Sequence, residues 1–131
     1  MSNVLFSAMG ATYKALVAKL TRKGVNVGGT GAYYPRIEVH SVTENPAQDK
    51  DGRIKSISCT VECITEDKLA SVIQMNSENL TLLLSNSLQI DKPWHIIGID
   101  AGVGQQLTES SDTNAIIYRI IQDLTIYVEN K

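Results

Sequence analysis

The stretch N-A-I-I-Y-R-I-I-Q-D-L-T-I-Y-V, residues 114–128, decides the fold of this chain. From Ile116 to Val128, every second residue is apolar or aromatic except Gln122. Side chains alternate between the two faces of a strand, so this even-numbered set is predicted to form the spine of the core. The stretch is rich in β-branched residues and holds no Gly or Pro, which favours a strand over a helix. Because such a strand would reach roughly 45–50 Å, we expect a bend or bulge near Gln122 and Asp123.

The odd-numbered residues of the same strand are predicted to form a contact surface between subunits. Two helices can cover one face of a sheet, and the even-numbered face has the stronger claim to that cover. The odd-numbered face is an apolar patch rimmed by charges, including Asp123, which usually marks an interface, and a head-to-tail interface can close a ring. The residues predicted to meet the neighbouring subunit are Ile117, Arg119, Ile121 and Tyr127, with Ile64 and Ile97 added if the register allows. In the alternative arrangement, one helix packs on each face and buries Ile117 within the monomer.

The composition indicates one globular domain spanning residues 1–131. Apolar residues make up 43% of the chain, which is enough for one core. The net charge of −2 gives no sign of a nucleic-acid partner, and aromatic residues, at 5%, are too sparse for a base-stacking platform. Charge is unevenly placed, because residues 1–37 carry five basic residues and no acid. This segment is either a solvated basic helix end or a basic surface that meets an acidic partner.

Cys59 and Cys63 are the only cysteines. On one strand they would share a face about 13 Å apart, beyond the reach of a disulfide, so both are predicted to be buried free thiols in a reducing compartment. No stretch approaches 18 apolar residues, so no membrane span is predicted. The N-terminus lacks the order of charged and apolar regions of a signal peptide, so secretion is not predicted either.

Three further strands and a long hairpin are predicted. Pro35 opens a strand over residues 36–42, and residues 53–65 alternate cleanly between an apolar and a polar set. The polar run between them, residues 44–52, is predicted to be an exposed hairpin loop. A short strand over residues 94–99 is followed by Gly102-Val103-Gly104 and the polar run of residues 109–114. Together they form either a loop or a twisted strand extension that leads into the final strand.

Two amphipathic helices complete the predicted elements. The first spans residues 3–22, begins at a Ser2 or Asn3 cap and carries an apolar stripe. Its stripe consists of Leu5, Met9, Leu16, Val17 and Leu20, with Phe6 and Tyr13 nearby. The second helix is predicted to be capped by Thr65. Its stripe consists of Leu69, Val72, Ile73, Asn76, Leu80, Leu83 and Leu84, in which we interpret Asn76 as a satisfied polar residue at the edge of the core.

The sequence contains no catalytic or metal-binding constellation, so the chain is not predicted to be an enzyme and no cofactor or metal is assigned. The motifs Gly-x-Ser-x-Gly, His-Glu-x-x-His and Cys-x-x-Cys are all missing. Residues 25–34, V-N-V-G-G-T-G-A-Y-Y, hold three glycines in four residues. A phosphate-binding loop would continue with Gly-Lys-Ser/Thr and a helix, and neither follows here. We therefore interpret this segment, including residues 28–31, as a flexible connector.

The order α-β-β-α-β-β predicts an α+β fold in which about four antiparallel strands are packed by two helices. Ala32-Tyr33-Tyr34-Pro35-Arg36-Ile37-Glu38-Val39 resembles the Tyr-Pro-opened first strand of the phage tail terminator, or tail completion, family. Residues 57–65 and 66–84 are similar to its second strand and second helix. Residues 94–99 and 116–129, which hold Tyr118-Arg119, resemble its closing antiparallel pair.

The resemblance, which covers residues 5–129, implies a virion structural protein without catalytic residues. Members of this family form rings, usually hexameric, that stop polymerisation of the tail tube and join the tail to the head. The implied partners are further copies of the chain, the tail-tube protein and the head connector or neck protein, with no membrane and no recognition of a nucleic-acid sequence. The implied location is the virion, assembled in the host cytoplasm.

In this family the hairpin between the first two long strands can extend to a neighbouring subunit or to the tube. The candidate contact residues of the loop are Pro46, Gln48, Asp49, Lys50 and Asp51.

Two alternatives to the tail-terminator function stay open. The chain could be another phage neck, head-completion or tail-tube-related subunit, or a small cytosolic ligand-binding or regulatory domain.

Overall fold

The computed structural model describes residues 7–22, 24–27, 34–45, 52–85, 88–110 and 115–130. Two helices and five strands lie along these residues, which confirms the α+β class. The helices are α1 (Ala8–Leu20) and α2 (Leu69–Leu84). The strands are β1 (Asn26–Val27), β2 (Arg36–Asn45), β3 (Ile54–Thr65), β4 (Trp94–Ser110) and β5 (Ile116–Asn130).

The strands form one sheet in the order β1-β2-β3-β5-β4. β1 runs parallel to β2, and all other neighbours are antiparallel. The prediction of four strands is therefore short by one, because β1 lies inside the segment interpreted as a connector. A strand of two residues is too short to show any alternation in sequence. The predicted hairpin between β2 and β3 and the predicted position of β5 beside β3 are both confirmed.

β3 and β5 form the longest uninterrupted ladder of the sheet. Their pairing runs from Ile54 opposite Glu129 to Thr65 opposite Tyr118 without a shift in register. The predicted irregularity near Asp123 is thus absent from the β3–β5 ladder. It occurs instead on β4, whose register with β5 shifts between Ala101 and Gly104. Since β4 continues to Ser110, the strand extension is the correct alternative as far as that residue, and residues 111–114 lie outside the described part of the chain.

Both helices pack on the same face of the sheet and contact each other. The alternative with one helix on each face is therefore wrong. From residue 120 to residue 128, the even-numbered face of β5 lies in the core, as predicted; its buried residues are Ile120, Gln122, Leu124, Ile126 and Val128. The other two members of the set are less buried: Tyr118 is half-buried, and Ile116, at the far end of the strand, is 47% exposed.

α1 starts at Ala8, later than predicted, and faces differently. The predicted caps Ser2 and Asn3, and Leu5 and Phe6 of the predicted stripe, lie outside the described residues. Its N-cap is Ser7, whose Oγ accepts a hydrogen bond of 2.9 Å from the amide of Gly10. The helix buries mostly small side chains together with two leucines: Ala8, Ala11, Thr12, Ala15, Leu16 and Leu20. Met9 and Tyr13, which were assigned to the buried stripe or its border, are exposed. Small alanine side chains let the helix axis approach the sheet closely, so the larger neighbours point outwards.

α2 also begins later than predicted. Thr65 is the last residue of β3, and its Oγ1 accepts a hydrogen bond from the amide of Asp67 instead of capping the helix. The residues of α2 that are buried are Val72, Met75, Asn79 and Leu83. Three members of the predicted stripe are exposed, namely Leu69, Ile73 and Leu84. The helix is therefore rotated relative to the prediction, with the polar Asn79 in the core.

Both cysteines lie on the core face of β3 as buried free thiols, as predicted. Burial, with the charge of Asp123 adding to it, raises the pKa of Cys59 to about 11. Burial raises the pKa of Cys63 to about 12. Asn79 Nδ2 donates a hydrogen bond of 3.0 Å to Cys63 Sγ. At neutral pH these thiols are protonated and act as small packing groups.

Candidate subunit interface

The face of the sheet turned away from the helices carries all four predicted interface residues. Alternation along β5 places Ile117, Arg119, Ile121 and Tyr127 on the side opposite Ile120 and Leu124. We call this side the helix-free face. The register adds the facing residues of the neighbouring strands. They are Glu38 and His40 of β2, Ser58, Thr60 and Glu62 of β3, and Asp100, Gln105, Leu107 and Glu109 of β4.

A chain of polar contacts crosses the helix-free face from β2 to β4. His40 Nε2 lies 2.9 Å from Glu62 Oε1, and His40 Nδ1 lies 2.9 Å from Ser41 Oγ. Arg119 donates from Nη1 to the second oxygen of Glu62 and from Nε to Glu109 Oε1 at 2.6 Å. Four strands are thereby joined through one carboxylate and one guanidinium. These charge-assisted hydrogen bonds tie the four strands together on the face that neither helix covers.

The contacts of Glu62 keep its carboxylate ionised despite its low exposure. The side chain is only 9% exposed. Burial works to raise the pKa of Glu62, but the hydrogen bonds from Arg119 and His40 outweigh it and hold the pKa below its usual value. Burial likewise works to lower the pKa of Arg119, but its bonds to Glu62 and Glu109 raise it above the usual value. Both groups are therefore charged over the whole neutral range.

Ser41 marks a bulge at the β2 end of the polar chain. The register of β2 with β3 shifts between His40 and Thr43, and Ser41 has a φ of 55°. A side chain of this type is uncommon in the left-handed region and needs a local contact to hold it there. The contact between Ser41 Oγ and His40 supplies one. The polar chain therefore starts beside a bulge on β2 and ends at Glu109 of β4.

The apolar members of the helix-free face are half-buried within the subunit. Ile121 lies opposite Glu62 on β3 and Gln105 on β4. Tyr127 lies opposite Gly98, where an added Cβ would be 3.6 Å from the ring, so the ring rests over the backbone of β4. Apolar and charged side chains therefore alternate on this surface, which is the composition of an interface rim more than of a core.

Ile64 and Ile97 do not extend the apolar patch. Ile64 is on the helix-free face by register, between Arg36 of β2 and Arg119 of β5, but it is fully buried. Ile97 is 50% exposed and falls at a register shift of β4, between Ile96 and Gly98. Two further exposed apolar side chains lie along β4, where Val103 is 71% and Leu107 39% exposed.

Sequence reasoning missed Glu62 and Glu109 as partners of Arg119, and it missed His40 as the second partner of Glu62. Glu62 belongs to the polar set of β3, and nothing in the local sequence sets it apart from the other members. Only the register between the strands brings its carboxylate to Arg119, which lies 57 residues away in sequence. The available signal was the placement of one acid and one base on strands that were predicted to be neighbours.

The other predicted contact region lies outside the described residues. It is the loop that holds Pro46, Gln48, Asp49, Lys50 and Asp51. Within the described part of the chain, no group of three or more potential ligands could hold a metal ion. Among the same residues, no helix is long and apolar enough to cross a membrane.

Comparison with known proteins identifies the fold. No protein-family model matches the chain, and neither does the sequence of any curated protein. A chain from the virion of a native gene transfer agent particle is similar, with a TM-score of 0.68, 15% identity and coverage of 99% of this chain and 100% of that one. The structure of the bacteriophage SPP1 gp17 protein is also similar, with a TM-score of 0.55, 16% identity and coverage of 91% and 89%. The shared fold thus extends over nearly the whole length of all three chains.

Proposed function

We propose that this chain is a virion structural protein that forms a closed ring, caps the tail tube of a phage-like particle and joins the tail to the head. The observation that carries the proposal is the end-to-end similarity to a chain of a gene transfer agent virion. The similarity to SPP1 gp17 supports the same class of particle. The partners under this proposal are further copies of the chain, the tail-tube protein and the head connector or neck protein, and the chain performs no catalysis.

The helix-free face is the proposed contact surface of the ring. Ile117, Arg119, Ile121 and Tyr127 lie together on it, half-buried and unprotected by either helix. A head-to-tail interface uses two different surfaces of each subunit, so it closes into a ring when the rotation between neighbours divides a full turn. Covering this face in a neighbouring subunit would complete the burial that the two helices begin on the other side.

Replacing Ile121 with Glu tests the interface. We expect a folded species of one chain's mass by light scattering, with its circular dichroism retained, because a charge in a subunit contact blocks association without reaching the core. The matched control is Ile73→Glu, which places the same charge at a half-exposed position on the outer surface of α2. The control should assemble like the unaltered chain. A normal ring of the Ile121 variant would exclude Ile121 from the contact, and an unfolded variant would place it in the monomer core.

A second experiment tests the capping role. Tail-tube protein is polymerised with and without the purified chain, and tube lengths are measured by electron microscopy. A terminator should limit tube length and appear at one end. A tube-related subunit, which is the second candidate because the similar virion chain carries no stated position in its particle, should instead enter the tube along its length. A monomer that leaves tube length unchanged would contradict both.

The loop of residues 46–51 is proposed to contact a neighbouring subunit or the tube through Pro46, Gln48, Asp49, Lys50 and Asp51. Replacing residues 46–51 with a two-residue turn should leave the subunit folded, because β2 and β3 are already paired on either side of it. We expect attachment to tubes to fall in a sedimentation assay. Unchanged attachment would remove the loop from the contact.

A further inference from the structure

Gln122 is the one polar residue on the core face of β5 between Ile116 and Val128, and its side chain is almost fully buried. Its Nε2 donates to the carbonyl of Gly102 at 2.9 Å and to the carbonyl of Asp123 at 3.1 Å. Its Oε1 accepts from Asn76 Nδ2 of α2 at 3.3 Å. The carboxamide therefore joins α2, β5 and the irregular part of β4. A buried amide with this many partners fixes the groups around it.

The irregular part of β4 is a bulge of one residue. Ala101 lies opposite Leu124, whereas Gly104, not Val103, lies opposite Gln122. At this extra residue the Gly102 carbonyl accepts a hydrogen bond from Gln122 Nε2. Gly104 leaves room for the amide, because a Cβ at this position would lie 2.6 Å from Gln122 Oε1. The glycines of Gly102-Val103-Gly104 thus allow the close approach that the bulge needs.

The bulge decides which side chains of the distal half of β4 lie on the helix-free face. With it, Gln105, Leu107 and Glu109 share that face with Ile121, Arg119 and Ile117. Without it, a slip of one residue would move every one of these side chains to the opposite face. Glu109 would then leave Arg119, and Leu107 would leave the surface proposed to meet the neighbouring subunit.

We propose that Gln122 is a positioning residue that sets the register of residues 104–110 and, through it, the composition of the helix-free face. Its donation to the Gly102 carbonyl stabilises the bulged register over the slipped one. The register itself does not depend on ring formation, but its consequence for assembly rests on the proposed function. Gln122 thus acts from inside the core on a surface on the other side of the sheet.

Engineered cysteine pairs report the register directly. Glu109→Cys with Ile117→Cys joins residues that are opposite in the observed register. Thr108→Cys with Ile117→Cys joins residues that would be opposite after the slip. In the otherwise unaltered chain, we expect the first pair to form a disulfide at least about tenfold faster than the second under mild oxidation. The buried Cys59 and Cys63 stay in every variant, and a chain without the engineered pair gives their background.

Gln122→Leu is then introduced into both reporter chains. It keeps the approximate volume and removes the amide, so the ratio of the two disulfides should fall about tenfold or invert. Gln106→Leu is the matched control, because Gln106 is exposed on the same stretch of β4 and its amide donates to the nearby Leu107 carbonyl and Thr108 hydroxyl. The control should keep the original ratio. An unchanged ratio in Gln122→Leu would overturn the proposal.

Gln122→Glu provides a second variant should Gln122→Leu lose its fold. It keeps the side-chain shape and an acceptor for Asn76 but loses the Nε2 donor to Gly102, so the proposal requires the same direction of change. Light scattering of the Gln122 variants without cysteine pairs separates the two levels of inference. A changed disulfide ratio with an intact ring supports the register role and removes its consequence for assembly. An unaltered chain that forms no ring contradicts the proposed function and leaves the disulfide ratio as the test of the register.

Discussion

The two faces of this sheet are built from the same strands but are stabilised in different ways. On the helix-covered face, Ile57 of β3 and Ile126 of β5 are opposite each other and fully buried against α1 and α2. On the helix-free face, the next residues along the two strands, Ser56 and Tyr127, are opposite each other. The side-chain hydrogen bonds of this face include those of Glu62 with Arg119 and His40. The first face depends on apolar area removed from water, and the second on paired charges. The even-numbered residues 120–128 of β5 therefore belong to the apolar core, whereas its odd-numbered residues lie on a surface that neither helix covers.

The largest difference between the faces should appear when one isoleucine is truncated on each. Ile126→Ala leaves a cavity in the closed core and should lower the free energy of unfolding by about 2–5 kcal/mol. Ile121→Ala removes a half-buried side chain from the open face and should cost the monomer clearly less. Urea denaturation at equal protein concentration measures both, since assembly adds to apparent stability. Equal losses would mean that the helix-free face is as much a core as the other.

An intermediate effect is expected from the polar chain. Glu62→Gln removes the carboxylate that accepts from Arg119 and faces His40, and should lower the free energy of unfolding at pH 7 by about 1–3 kcal/mol. The pKa of Glu62 is lowered in the folded state, so its contribution is present above the ordinary value of 4.5 and is lost as the pH falls through the folded value.

The difference between Glu62→Gln and the unaltered chain should therefore shrink as the pH is lowered below 4.5. Denaturation curves at several pH values check this. Glu66→Gln serves as the control, because Glu66 is exposed just beyond β3 and should show only a small effect. A constant difference at all pH values would show that the charge of Glu62 is not what matters.

The smallest loss of stability is expected at the β4 bulge between Ala101 and Gly104, where the buried Gln122 contacts the strand. Gly104→Ala puts a methyl group 2.6 Å from Gln122 Oε1, so the buried amide must shift and weaken its bond to Asn76. We expect a loss of about 1 kcal/mol. At Gly98, the nearest atom to an added Cβ is 3.6 Å away, so Gly98→Ala should be nearly neutral. Thermal melts of the two variants compare them, and combining Gly104→Ala with Gln122→Ala should remove most of the clash.

Alternation and composition were enough to predict the α+β class, the strand identity of β5 and its place beside β3. They were also enough to identify Leu124 and Ile126 as core residues, because apolar residues at a period of two all lie on the same face of a strand, which must then be buried. Local sequence also predicted that Cys59 and Cys63 would be buried on one face. It failed at the helix starts, where Ser7 and Lys68 rather than the predicted residues are the N-caps. Several polar residues lie close to each helix start, and only the packing of the helix against the sheet determines which of them is the N-cap.

Tertiary structure alone decided the rest. β1 forms because Asn26 and Val27 pair with the edge of β2. β4 extends to Ser110 because it pairs with β5 along its whole length. The pairing of Glu62 with Arg119 depends on the register between β3 and β5, and that of Glu109 with Arg119 on the bulge of β4. Register and bulges arise from contacts between residues far apart in the chain. Local patterns of hydropathy determine which face of a strand is apolar, but they hold no information about which residue of the next strand lies opposite.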